Sequence, residues 1–142
     1  MRFILLLFLI VIVGCSSGPE PLAYGKDGCH HCKMTLMDRK FGAEIVTAKG
    51  KVFKFDDVNC MINYINANIT DEREIVHKLV VEFSEQEKLV DAGSAFFVKS
   101  EEIRSPMNSQ VAAFEDYEKM KAFKETVSGI YLTWGELITQ YK

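Results

Sequence analysis

The chain has 142 residues, 48% hydrophobic and 26% charged, with 17 Lys and Arg against 20 Asp and Glu for a formal net charge of −3. That length suits one domain, or two very small ones that share a core. No basic run or stripe marks a nucleic-acid binder, and the small negative charge says little about partners.

The chain opens on Arg2 and an unbroken apolar run from Phe3 to Val13. That run is too short to span a bilayer as a helix and reads as a cleaved secretory signal over residues 1–14. Ile12-Val13-Gly14-Cys15 resembles a bacterial lipoprotein signal, where cleavage precedes the cysteine and lipid is attached to it; the alternative is plain secretion with Cys15 free. Residues 15–23, rich in Ser, Gly and Pro, are expected to form a flexible tether. The expected working protein is therefore Cys15 to Lys142, lipid-anchored at Cys15 in the cell envelope and facing the periplasm.

The remainder predicts an α+β fold of two small, pseudo-repeated β-β-α-β units, over residues 24–86 and 87–142. Ala43 to Lys49 and Lys51 to Phe55 alternate apolar residues around a glycine-centred turn, as a hairpin does. Asp56-Asp57 offers an N-cap, and Val58, Met61, Ile62 and Ile65 fall on one helical face. Val76 to Phe83 is β-rich. In the second half, Lys88–Asp91 and Ala95–Lys99 are strand candidates. Glu101 to Gln110 is a loop around Pro106, and Ala112 to Phe114 adds a strand. Asp116 to Val127 is predicted helical with Met120, Phe123 and Val127 inward, and Ile130 to Leu132 is a strand. Thr133-Trp134-Gly135-Glu136 has capping-box spacing before a last short helix.

The chemistry concentrates in Asp27-Gly28-Cys29-His30-His31-Cys32-Lys33-Met34. Setting aside Cys15 leaves Cys29, Cys32 and Cys60, an odd number for an oxidising compartment, so one thiol has no partner within the chain. Cys29-x-x-Cys32 admits a structural disulfide, or a redox pair, although no strand leads into it as a thioredoxin-like site would want. Covalent haem requires His where Lys33 stands. Structural zinc wants a second ligand pair at matching spacing, which Cys60 and His77 supply poorly.

Cu(I) asks for two or three soft donors, and thiolate with thioether is a soft set. Cys32 and Met34 are one residue apart, and in an extended segment both point to the same side. Met107, after Pro106 in a polar loop, is the candidate third donor. Met61 and Met120 sit on apolar helical faces and read as core. His30 and His31 are candidate imidazole ligands beside the thiols. Cys60 reads as a buried thiol, inert for packing reasons. No nucleophile-and-base arrangement or phosphate-binding glycine loop is present, so nothing here argues for an enzyme.

Cys-His-His-Cys-Lys-Met-Thr-Leu-Met-Asp, Gly-Ala-Glu-Ile-Val-Thr, Lys-Phe-Asp-Asp and Ser-Pro-Met-Asn together resemble the NosL family, copper-binding lipoproteins that assist assembly of nitrous oxide reductase. The resemblance runs from Tyr24 to the C-terminus. It implies Cu(I) ligation by Cys32 and Met34, with Met107 as a further ligand, on a fold of two β-β-α-β units. Many members have glycine where this chain has Lys33, and Cys29 is an additional thiol. The implied activity is hand-over of Cu(I) by ligand exchange. The implied partners are apo nitrous oxide reductase or its membrane ABC-transporter maturation complex. The alternatives are a copper chaperone or storage lipoprotein for another cuproenzyme, and a thiol-disulfide protein using Cys29 and Cys32.

Overall fold

Seven strands form two antiparallel sheets in the computed structural model, which describes residues 18–141. The proposed signal and Cys15 lie outside the described residues. Strand β1 (Ala43–Thr47) pairs with β2 (Val52–Phe55) through the expected hairpin, Ala43 opposite Phe55 and Val46 opposite Val52. Its other edge pairs with β3 (Ile75–Val81), Ala43 opposite Val80, with a bulge at Val46/Thr47. Flanked on both sides, all five residues of β1 are buried.

Helix α1 (Val58–Asn68) follows β2 without a linker beyond Asp56-Asp57. Asp57 has the extended backbone of an N-cap, and Val58, Met61, Ile62 and Ile65 are the buried stripe that the spacing predicted. A single 3₁₀ turn over Glu72–Glu74, capped by Asp71, returns the chain to β3.

The order of the second half needs one correction. β4 (Leu89–Asp91) does not open the second unit; it pairs with β3, Val80 opposite Val90, as the fourth strand of the first sheet. The second unit consists of β5 (Phe96–Ser100), β6 (Val111–Phe114), α2 (Tyr117–Lys124) and β7 (Gly129–Leu132), with β5 central. The β-β-α-β order holds in both halves. Helix α3 (Trp134–Thr139) ends the fold with the full Thr133–Glu136 capping box.

The period of two in β5 and β6 places this second sheet between two cores. Phe97, Val111 and Ala113 face the main core with Ala43, Ile45, Phe55 and the α1 stripe, whereas Val98, Ala112 and Phe114 face Met120 of α2. At the junction of the sheets, Glu82 bridges to Ala113 in parallel sense and the Phe83 N–H donates to the Ala113 carbonyl at 2.8 Å. Glu82 is fully buried because its carboxylate receives the Ser84 N–H and hydroxyl and the Glu115 N–H.

Packing also begins earlier than the tether reading allowed. Leu22 is 5% exposed, within the main core. The Glu20 N–H donates to the buried Glu44 carboxylate, and Lys54 Nζ donates to the Pro21 carbonyl. Residues from Glu20 onward are thus fastened across the first sheet.

Candidate metal centre

The cysteine-bearing segment is a closed excursion that returns on itself. Gly28 and Thr35 form an antiparallel bridge, the Cys29 N–H donates to the Met34 carbonyl at 2.8 Å, and the Lys33 N–H donates to the Cys29 carbonyl at 3.0 Å. Lys33 lies in the left-handed region at φ 68. That conformation costs a side-chain-bearing residue roughly 1–2 kcal/mol, which gives a physical reason for glycine at this position. Lys33 Nζ stays at the surface and donates to the His30 carbonyl. The extended geometry expected for Cys32-x-Met34 is therefore a turn. Met34 is 55% exposed and Cys32 half-buried.

Two anchors fix this loop against the first sheet. Leu36 is fully buried in the main core. His30 lies edge-on to Phe53, Phe55 and Tyr64 with centroids 5.2–6.5 Å away, its backbone N–H donates to the Lys54 carbonyl, and its Nδ1 accepts the Lys54 N–H at 3.0 Å. With Nδ1 accepting, the neutral ring carries its proton on Nε2, so neither nitrogen offers a free lone pair in this arrangement. His31 is exposed. Neither histidine converges on the thiols.

The thiols do converge. Ligand atoms of Cys29, Cys32, Cys60 and Asp56 all lie within 4.8 Å of one another. Cys29 and Cys60 are each 1% exposed, and Cys32 closes the group toward solvent. No disulfide joins the three. Cys60, read from sequence as a packing thiol, is buried as expected, but it sits on the third residue of α1 and turns into this cluster. Asp56, the residue before the cap, accepts the Cys32 thiol at 3.4 and 3.5 Å. An odd thiol in the sequence was the signal for Cys60. Asp56 stands in the sequence only as half of a cap pair and within the Lys-Phe-Asp-Asp match; its thiol partner is 24 residues away.

The neighbouring Cys60 thiol, with the nearby backbone N–H groups of Asp56, Cys32 and His31, holds the Cys29 thiol below its usual value despite burial. Cys60 is pushed up by that same contact and by burial. Burial raises Cys32 first, with Cys29 and Asp56 adding to it.

Met107 reaches the same helix end from the second unit. Asp57 carries the connection. Its Oδ1 accepts the Val58 N–H at 2.7 Å and the Ser109 hydroxyl at 2.6 Å, and its Oδ2 accepts the Met107 N–H at 3.1 Å and the Ser109 N–H at 3.3 Å. Burial pushes the Asp57 carboxyl up, and these donors pull against it. Asn59 Nδ2 donates to the Met107 carbonyl at 2.9 Å. Met107 is half-buried and packs against the main core, which includes Cys29 and Cys60. Sequence reasoning identified Asp57 only as a cap; the structure makes it the clamp between the two units.

A small α+β domain that gathers thiols and a methionine loop around one helix N-terminus is a soft-donor site on a mixed fold. The NosL family profile matches residues 23–141, and the chain belongs to the NosL family. Its fold is similar to the crystal structure of the copper chaperone NosL from Shewanella denitrificans, with a TM-score of 0.70 at 18% identity, covering 84% of this chain and 95% of that one. A search of curated proteins finds no match.

Proposed function

We propose that this protein is a membrane-anchored Cu(I) metallochaperone that delivers copper for assembly of the nitrous oxide reductase copper site. The observation that carries the reading is the placement of Cys32: one half-buried thiol at the mouth of a thiol group, beside Met34 and on the same helix end that holds Met107. Sulfur donors select Cu(I) over hard cations, and NosL membership with a copper-chaperone neighbour supports that cargo. Cys32 is the common ligand. Met34 and Met107 are neutral, readily replaced thioethers through which the ion enters and leaves, and Cys29 is the second thiol.

In this reading the two β-β-α-β units form one working body. Lipid on Cys15 holds it at the envelope membrane facing the periplasm, and it acts as a carrier and not as an enzyme. Its partners are the apo reductase or the ABC-transporter complex that matures it. The test is transfer. Cu(I)-loaded protein is mixed anaerobically with apo nitrous oxide reductase, and copper in each is measured after separation. Copper moving to the reductase, slowed at least tenfold by Met34→Ala or Met107→Ala, supports hand-over. Copper retained by the carrier at equilibrium contradicts it.

A further inference from the structure

Cys60 has no part in the Cys-x-Met arrangement, yet its thiol is drawn into the group and not into the apolar stripe of its own helix. Packing alone would be satisfied by any small apolar side chain. Instead, three thiols from segments roughly thirty residues apart lie within 4.8 Å of one another. A metal–thiolate bond of about 2.3 Å places three trigonal sulfurs about 4 Å apart. The group is already at that spacing to within a small side-chain adjustment.

The surroundings suit an ion bound behind Cys32. Cys29 and Cys60 are sealed from solvent. Asp56 accepts the Cys32 thiol proton and is 3% exposed. A ligating thiol must give up its proton when the metal arrives.

We propose that Cu(I) rests in a recessed three-thiolate site made by Cys29, Cys32 and Cys60, with Cys32 as the exchangeable ligand at its mouth. This deepens the copper reading and rests on it. No electron moves: Cu(I) stays Cu(I), and each thiol that binds releases one proton to solvent through the mouth at Cys32. An all-sulfur set favours Cu(I), whereas zinc would recruit the Asp56 carboxylate as a fourth ligand.

The test uses the full-length protein in detergent, grown on selenomethionine, reduced and loaded with one equivalent of Cu(I). Copper-edge X-ray absorption then separates cysteine sulfur from methionine selenium without any substitution that endangers folding. The expected result is a shell of three sulfurs and no selenium, with Cys60→Ser at least a hundredfold weaker in competition against a Cu(I) chelator. A copper–selenium distance overturns the recessed site and leaves the ion with Met34 or Met107, the copper reading intact. Preferential retention of zinc with an oxygen ligand also overturns it. Absence of Cu(I) uptake overturns both.

Discussion

Helices α1 and α2 begin the same way, with an aspartate cap after a β-hairpin, and use that aspartate for different ends. Asp116 is exposed and accepts the Lys119 N–H, the third of its helix, as an ordinary cap does. Asp57 is 1% exposed and accepts only the first helical N–H, Val58; its remaining capacity goes to Ser109 and Met107 in the other unit. At the third helical position α2 has a surface lysine and α1 has Cys60. The unit that gave up conventional capping is the one that carries the thiols. A repeated local pattern therefore fixes the element, while long-range partners fix what its first turn does.

Removing the two caps tests this contrast most strongly. Asp57→Ala leaves the Ser109 hydroxyl and the Met107 N–H without their acceptor in a buried place and should cost about 3 kcal/mol, against about 1 kcal/mol for Asp116→Ala. Urea unfolding of both variants checks it, and equal losses would erase the distinction between clamp and cap. Exchange of the Met107 amide should also speed up in Asp57→Ala alone.

Gly42 is the next largest effect. It stands at φ 134, and an added Cβ would meet Leu22 Cδ1 at 2.6 Å. Gly42→Ala should destabilise by about 2 kcal/mol and loosen residues 20–24 from the first sheet, seen as faster proteolysis there. A thermal midpoint unchanged from wild type would mean this segment contributes nothing to the fold.

Glu44 sharpens the comparison by pH. It is fully buried, one carboxylate oxygen accepts the Glu20 N–H and the other has no partner. Burial raises its pKa above the ordinary 4.5; the Glu20 N–H and Lys54 oppose the shift, and the charges of Glu20 and Asp27 add to it. A raised carboxyl contributes stability that is fully present below the unfolded value and lost as pH rises through the folded one. Wild type should accordingly lose ground to Glu44→Gln as pH rises above the ordinary 4.5, measured as the difference in urea midpoints. A difference that stays flat with pH would place Glu44's titration at its unfolded value.

The smallest effect concerns the loop turn. Lys33→Gly relieves the φ 68 conformation and loses only a surface bond to the His30 carbonyl, so it should stabilise by at most about 1 kcal/mol. Destabilisation on calorimetry would show that the Lys33 bond matters to the loop.

Much of the framework was legible because its signals are local. The Val58, Met61, Ile62 and Ile65 stripe, the hairpin around Gly50, and the caps at Asp57 and Thr133 each depend on neighbours within one or two turns. Cys29 and Cys32 announced themselves by spacing, and both stand in the cluster. Two of the failures are long-range and one is local. Leu89–Asp91 alternates like any short strand, and nothing local says that it pairs backward with β3. Cys60 lies beside an apolar stripe and reads as core until the loop folds over it. The local one is the Cys32-x-Met34 segment, which reads as extended because side-chain chemistry does not reveal a left-handed Lys33.

The most direct measurement is an anaerobic Cu(I) titration of the reduced protein against a competing chelator, with Cys32→Ser beside wild type. The account requires one tight equivalent in wild type, at least a hundredfold weaker in Cys32→Ser, with both proteins unfolding at the same urea concentration. Equal affinity in the two, or no tight equivalent in either, would contradict it.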